Sequence, residues 1–560
     1  MSDTRRKPRR VLRRRIAALA ACFLLFGLIP AVAHAQTPSI SSLWPRKGPI
    51  GRAVFIKGSG FADTTDVEFN GVPATFTIRS DIRVRAIVPH GATTGPVTVT
   101  ADGSTATSPQ PFVVQPNIVL ILTDDMRADE LGRMPNVRRL LVRKGTTYTN
   151  ALSPHPVCCP ARAEILTGQF GQNNGVQNNK GPWGGYHALD QPHNTIAAWL
   201  QGAGYQTSHH GKYLNGYEYE EARTEPGWTR WDTQTGGIYT YNVFARFADG
   251  DRIEDEYITH VIGRRSNQTL GRFSRHGGPF FTIINHVAPH HASNPLGWTL
   301  PRAERKYRDA YASLPPPSYR DPAFQERNVR DLPPDLRRPL IRTGIFIALA
   351  RARVRALRSV DDAVARTIAR LRETGELRHT YVVFASDNGY QIGEHRLSGK
   401  NLPFDESFNI PLVIRGPGIP AGKRINEPVT LVDLAATFLD WAGGVPAGRP
   451  LDGLSLREIG DRHPRDTLLV QIGDSTDDNT DGWRYRGVTT RRYLFAVHAG
   501  DPTVGVLFDR QRDPHATVNQ FNRRAYAEIR GELLQRTREL VTCSGPDECN
   551  QDFGPLPRPS

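Results

Sequence analysis

Two regimes of hydrophobic patterning divide the chain. Over residues 37–115, short β-prone runs at 53–57, 67–69, 74–78, 83–88 and 97–100 alternate with turns rich in Gly, Pro, Asp and Asn. Asn70-Gly71 and Asp102-Gly103 are two of those turns. Short strands at this spacing predict an all-β sandwich. From Asn117 the pattern changes. Residues 118–122 form an uninterrupted aliphatic run, as in a parallel strand buried on both faces. Residues 280–284 and 381–385 repeat it, and 411–414 is a shorter version. Helical segments lie between: one at 195–201, another starting at Ser359, where Ser-Val-Asp-Asp has capping-box character, and ending near Gly375. Strands and helices alternating in this way predict a doubly wound α/β sheet. The Pro-rich stretch 314–339 reads as a long surface excursion. After about Gly443 the parallel signal fades; short strands at 468–471, 485–489 and 493–497 and a helix at 524–541 predict a small antiparallel α+β subdomain.

At 560 residues the chain exceeds what one compact core supports, so several domains are expected. The first 35 residues read as an export signal. Arg5, Arg6, Lys7, Arg9, Arg10, Arg13, Arg14 and Arg15 form a basic region, an apolar run spans 16–32, and Ala33-His34-Ala35 offers a cleavage site before Gln36. Leu19-Ala20-Ala21-Cys22 has the form of a lipobox, but the apolar run continues past it, which favours ordinary cleavage; lipidation and a retained anchor stay open. An extracellular, cell-surface or periplasmic protein follows. The segment holds eight basic residues and one acid, so it supplies +7 of the formal +15, and what remains is only mildly basic. No basic stripe interleaved with aromatics is present, which argues against nucleic-acid binding. Of the five cysteines, Cys543 and Cys549 bracket a short turn and are spaced to pair in an oxidising compartment, leaving Cys158 and Cys159 to be explained.

The candidate chemistry sits where the aliphatic runs end. Residues 118–122 lead into Asp124-Asp125, 381–385 into Asp387-Asn388-Gly389, and 280–284 toward His286 and His290. Open α/β sheets place their ligands at the carboxyl ends of strands. One isolated Asp-Asp is ordinarily a cap or turn, but two acidic pairs at strand ends of one domain are harder to dismiss. Three carboxylates and an amide are hard oxygen donors suited to Ca²⁺, or to Mg²⁺ with more water. The sequence has no His-Cys cluster at zinc spacing. The least common motif is Cys158-Cys159-Pro160-Ala161-Arg162, followed by Leu166-Thr167-Gly168.

These residues resemble the signature of the type I sulfatases, over about 116–445 with a compatible tail at 446–560. The resemblance implies an alkaline-phosphatase-like fold and conversion of Cys158 to Cα-formylglycine by a dedicated maturase. It also implies a metal held by Asp124, Asp125, Asp387, Asn388 and the modified Cys158. By the same similarity Arg162 holds the formylglycine, and Gly211-Lys212, Ala288-Pro289-His290 and Lys400 after His395 supply Lys212, His290 and Lys400 around the sulfate. Many members carry histidine two residues after the lysine; here Leu214 stands there. Gly211-Lys212-Tyr213-Leu214-Asn215 and Cys-Cys-Pro are instead similar to the N-acetylglucosamine-6-sulfatase branch. That implies a sulfated carbohydrate substrate such as 6-O-sulfated glucosamine units, with aryl sulfates as laboratory substrates. Asn215 is a candidate for the role of the missing histidine. Two rivals remain: a phosphodiesterase or phosphonate monoester hydrolase of the same superfamily, and a non-catalytic secreted glycan-binding protein. The segment 37–115, through Gly58-Ser59-Gly60-Phe61 and Phe69-Asn70-Gly71-Val72-Pro73-Ala74, resembles an IPT/TIG immunoglobulin-like domain. Its partner is not legible.

Overall fold

A computed structural model of the chain describes residues 37–219, 224–460, 463–473 and 481–559. The export signal read at 1–35 lies outside the described residues. The N-terminal region is a sandwich of two four-stranded antiparallel sheets. Val54, Ile56, Val67, Val84, Val97 and Val99 are fully buried between them, as alternation of inward and outward positions requires. The two dipeptides flagged in the sequence are its tight hairpin turns: Phe69 pairs with Val72 and Ala101 with Ser104. Asn70, Gly71, Asp102 and Gly103 all take positive φ, the geometry that two-residue hairpins demand of Asn-Gly and Asp-Gly. This sandwich meets the rest of the chain through His90, whose ring stacks on His379 at 4.8 Å, and near Gln115, which donates to the carbonyls of Ala203 (2.9 Å) and Ala442 (3.3 Å).

The second region is built on a sheet of ten strands among the described residues. Its centre runs, in spatial order, Gln206–Gly211, Phe280–Pro289, Asn117–Asp124, Thr380–Ser386, all parallel. The first of these in sequence lies in the interior, so the chain crosses over on both sides of it, which is the switch point at which such sheets bind ligands. Asn117–Asp124 is buried at every position because helices cover both faces. Ile118, Leu120 and Leu122 pack with residues of Cys158–Thr167, Ile196–Gly202 and Asp433–Ala442. Val119 and Ile121 pack with Ile258–His276 and Thr343–Glu373. Alternate side chains of one strand thus feed two cores.

Three expectations change. The strand Leu412–Arg415 runs antiparallel to Thr380–Ser386, where its aliphatic character had pointed to a parallel neighbour. Burial on both faces produces the same composition in either direction. The helix read from Ser359 begins at Thr343 and runs 31 residues. Ser359 is buried in its middle, and Asp361 accepts the backbone N–H groups of Asn136 and Val137 (3.1 and 2.8 Å). Asp361 therefore caps the neighbouring helix Pro135–Leu140, while Ser359 donates to Glu304 (2.8 Å). Within the Pro-rich excursion, Val329, Leu332 and Leu336 are buried against Phe404 and Phe508, so this surface segment is anchored. The C-terminal part is a four-stranded antiparallel sheet, with Asp501–Asp509 added to the three expected strands, and the helix Ala527–Leu540. Cys543 and Cys549 are joined as a disulfide; Cys158 and Cys159 are free and buried.

Candidate active site

Four adjacent parallel strands end at one edge of the sheet, and each delivers a functional group there. Asn117–Asp124 ends in Asp124 and Asp125, Thr380–Ser386 leads into Asp387 and Asn388, Gln206–Gly211 into Lys212, and Phe280–Pro289 into His290. The register places Asp124 beside Pro289 and Thr123 beside Ser386. The fifth contributor is the helix Cys158–Thr167, whose first residue is Cys158 and all ten of whose residues are buried. Gly168 closes it with φ 66, the left-handed conformation that favours glycine at a helix end. Lys400 follows the short strand Ser398–Gly399.

The sequence-predicted residues converge. Lys212 Nζ donates to Asp124 Oδ2 at 2.7 Å. Lys400 Nζ donates to Cys158 Sγ at 2.7 Å and contacts Asp125 Oδ1. Cys158 Sγ lies 3.3 Å from Asp124 Oδ1. Arg162 donates through Nε to Asp387 Oδ2 (2.9 Å) and through Nη1 to the Lys212 carbonyl (3.0 Å). Asn388 Nδ2 donates to Asp125 Oδ1 at 2.9 Å, and His290 Nε2 stands 3.8 Å from Asp125 Oδ2. One ligand atom each from Asp124, Asp125, Cys158 and His290 fall within 4.8 Å of one another. His290 therefore stands with Asp124, Asp125 and Cys158 beside the expected ligand set of Asp124, Asp125, Asp387, Asn388 and Cys158.

A divalent cation fits this donor set. Asn388 Oδ1 is buried with no hydrogen-bond partner among the described residues, although its amide hydrogens are both used. A buried, unpaired carbonyl oxygen beside three carboxylates is costly unless something positive binds it. Asp125 carries a second mark of constraint, φ 74, a conformation disfavoured for any residue with a Cβ. It is held there from both sides of its peptide: its N–H donates to Asp387 Oδ1 (3.0 Å), and Arg353 Nη2 donates to its carbonyl. Arg353, fully buried and paired with Glu130 at 2.7 Å, was not expected from the sequence, since nothing local distinguishes it from the other arginines of its helix.

The electrostatics follow from burial and proximity. Burial raises the cost of charging Asp124, but Lys212, His290, Arg162 and Lys400 outweigh it and hold this carboxyl well below the usual range. Burial, then Asp124, lifts Asp387 to about 6 against the pull of Arg162. Burial pulls His290 down to about 4, opposed by Asp125, so the ring is neutral near neutral pH. Its Nδ1 faces the His291 carbonyl at 2.8 Å, which can only accept; Nδ1 therefore carries the proton and Nε2 the lone pair. Burial and then Asp124 push the Cys158 thiol up to about 12. As a thiol it is a poor nucleophile.

Two site features went unread in the sequence. Tyr239 stacks on His290 (centroids 4.3 Å apart, 26°) and its ring lies 5.1 Å from Lys212 Nζ. Burial raises its hydroxyl pKa, so it remains a donor. Trp298 packs edge-on against both rings. Tyr239 comes from a loop and Trp298 from a three-residue strand, both too short of pattern for periodicity to signal them. Leu214 is buried in the core. Asn215 turns its backbone carbonyl to Cys159 Sγ at 3.9 Å, and its side-chain oxygen has no hydrogen-bond partner among the described residues.

Comparison with known proteins agrees with this architecture. Residues 116–445 match the family description Sulfatase. The chain belongs to the sulfatase family. Residues 393–542 match the description N-sulphoglucosamine sulphohydrolase, C-terminal, and residues 38–114 match IPT/TIG domain. The goat (Capra hircus) N-acetylglucosamine-6-sulfatase is 31% identical over 484 residues, covering 77% of this sulfatase chain and 84% of its own length. The Drosophila melanogaster extracellular sulfatase SULF-1 homolog is 32% identical over 389 residues, covering 64% of this chain. The chain spans only 33% of that relative's length and 53% of that of a Caenorhabditis elegans counterpart. Among solved structures, one in complex with its substrate D-glucosamine-2-N,6-O-disulfate superposes with TM-score 0.59 at 23% identity, covering 76% of this chain and 97% of that one. A phosphonate monoester hydrolase from Silicibacter pomeroyi superposes with TM-score 0.56 at 21% identity, covering 76% and 94%. At these identities the structural likeness establishes the fold. Among the described residues no helix is long and apolar enough to cross a membrane.

Proposed function

We propose that this protein hydrolyses sulfate esters of carbohydrates, such as 6-O-sulfated N-acetylglucosamine units, outside the cytoplasm, with Cys158 converted by a maturase to formylglycine. The observation that carries this reading is the convergence of four parallel strand ends and one helix start on a single buried cluster of three carboxylates, three cations and a cysteine. An extracellular sulfatase and an N-acetylglucosamine-6-sulfatase among the relatives support the substrate class and the export. Residues 37–115 are taken as a separate sandwich module, 116–445 as the catalytic domain and 446–560 as its C-terminal subdomain.

Asp124, Asp125, Asp387 and Asn388 would hold Ca²⁺, or Mg²⁺, together with the modified Cys158. The cation would supply positive charge that lowers the pKa of a bound hydroxyl. Formylglycine, once hydrated by water, would supply a geminal diol, one hydroxyl as the nucleophile toward sulfur and the other to expel sulfate and restore the aldehyde. The chain's own residues do the rest. Arg162, pinned between Asp387 and the Lys212 carbonyl, fixes the start of the cysteine helix against the strand ends. Lys212, paired with Asp124, and Lys400, on Cys158 Sγ, balance the charge that builds on the sulfate oxygens. His290 Nε2, which carries the lone pair, would take up the proton released by the attacking hydroxyl and hand it to the departing alkoxide. Tyr239, lying against both Lys212 and His290, positions them.

The phosphonate monoester hydrolase likeness is the reason to test reaction class directly. Purified protein with calcium, given p-nitrophenyl sulfate and a p-nitrophenyl phosphodiester in parallel, is predicted to show the higher kcat/KM on the sulfate, and a higher value still on a 6-O-sulfated glucosamine saccharide. A faster phosphodiester rate would replace this reading with the phosphodiesterase one.

A further inference from the structure

The site is sealed on most sides. Asp125, Cys158 and Lys212 are each about 1% exposed and Asn388 is fully buried, whereas the side chains of His290 and Lys400 are 11% and 15% exposed. An ester whose sulfate sits among Lys212, Lys400 and His290 must therefore lead its organic part outward past one of these two. On the His290 side the way out is lined by rings. Tyr239 stacks on the imidazole, and Trp298 meets His290 at 5.3 Å and Tyr239 at 5.2 Å, edge-on to both. From Asp125 to His290 to Trp298 exposure rises from 1% through 9% to 62%. The stacked rings thus lead outward from the cluster to an open indole.

That indole is held in place. Trp298 belongs to the hairpin Ala292–Asn294 and Gly297–Thr299. Ala292 is fully buried at its base, and Ser293 N–H donates to the Tyr239 carbonyl at 2.9 Å, tying the hairpin to the loop that carries Tyr239. Leaving a large apolar ring in water forgoes about 25 cal/mol per Å² of apolar area. An ordered exposed tryptophan beside a buried anion-binding cluster is thus a surface with something to cover it. The charge available from Lys212 and Lys400 serves the sulfate; the indole offers a π face. A pyranose ring matches both demands, with polar hydroxyls at its edge and a face of weakly polarised C–H groups suited to the negative face of an aromatic ring.

We propose that Trp298, backed by the Tyr239–His290 stack, is the platform on which a pyranose ring of the substrate lies while its sulfate is bound, so that the hairpin 292–299 selects saccharide esters over small aryl esters. This rests on the sulfatase reading and specifies where its carbohydrate is recognised. The platform acts in ground-state binding and transition state alike, so its loss appears chiefly in KM.

The test compares the parent protein with Trp298→Ala and Trp298→Phe on a 6-O-sulfated glucosamine disaccharide and on p-nitrophenyl sulfate. Trp298→Ala is expected to lower kcat/KM for the disaccharide at least about tenfold more than for the aryl ester, through KM, with Trp298→Phe recovering most of the difference. An equal loss on both substrates, carried by kcat, would overturn the proposal and make Trp298 a support for His290. Equal KM values for the disaccharide in parent and Trp298→Ala would also overturn it. Titration calorimetry in the Cys158→Ala background separates this inference from the reading it rests on. Weaker binding of the sulfated disaccharide on adding Trp298→Ala supports the platform even if the parent hydrolyses neither ester, a result that would sink the sulfatase reading alone. Unchanged binding there removes the platform whatever the activity.

Discussion

Cys158→Ala is expected to abolish sulfate ester hydrolysis, by at least about 10⁴-fold in kcat, while the protein stays folded. The loss follows from the proposed role: without a side chain that can be oxidised there is no diol to attack sulfur. The retention of fold follows from the geometry. Removing Sγ takes away one contact each from Lys400 and Asp124, but Lys400 keeps Asp125 and Asp124 keeps Lys212. No charge is left unpaired, so the change in stability should stay within about 1–2 kcal/mol. The neighbouring residue supplies the control. Cys159 is equally buried, yet its sulfur reaches only the Asn215 carbonyl at 3.9 Å. Cys159→Ala should cost about 1 kcal/mol of packing and leave kcat within a few-fold. Initial rates on p-nitrophenyl sulfate together with thermal melts check both. Comparable losses in the two variants would remove the special role of Cys158.

The second large effect is expected at Lys212. Its amine is buried and 2.7 Å from Asp124 Oδ2, and Arg162 Nη2 is farther from the same oxygen, at 3.7 Å. Lys212→Ala therefore removes a fixed positive charge from the reacting centre and leaves Asp124 with weaker compensation. We predict a fall in kcat of about 10²–10³-fold, the size seen when one preorganised electrostatic donor is removed. We also predict a loss of stability of about 3–5 kcal/mol, as for breaking a buried ion pair from one side. Lys400→Ala is the informative comparison. Asp125 retains Asn388 Nδ2 and the nearby His290, and Lys400 is partly exposed, so the melting temperature should fall less while kcat still drops. Rates and melts measured at saturating calcium separate the two components. If Lys212→Ala kept kcat within about threefold while losing stability, the lysine would be structural, and its assignment to the sulfate would fail.

Strand ends were readable because strands buried on both faces are aliphatic throughout, so the polar pairs just beyond them, Asp124-Asp125 and Asp387-Asn388, mark the sheet edge. The hairpin turns at Asn70-Gly71 and Asp102-Gly103 were readable because their chemistry is local. His290 was flagged by the aliphatic run at 280–284 that leads toward it, with its role coming through resemblance, whereas Lys212 and Lys400 carry no local signal and came only through resemblance. Tyr239, on a loop, and Trp298, in a three-residue strand, were missed because tertiary structure alone brings them to the site. The start of the helix Thr343–Glu373 was missed for a related reason. Capping-type residues at Ser359 and Asp361 serve other elements: Ser359 donates to Glu304 and Asp361 caps Pro135–Leu140. The strand direction at Leu412–Arg415 could not be read, since composition does not encode it.

The central claim is that Cys158 is converted into the nucleophile of the site. The most direct measurement is mass spectrometry of the tryptic peptide spanning residues 145–162, from protein produced in a host that contains the formylglycine-generating maturase. The account predicts an aldehyde at position 158, trapped as a hydrazone, with Cys159 still a thiol. Two unmodified thiols in protein that nevertheless hydrolyses the ester would contradict it.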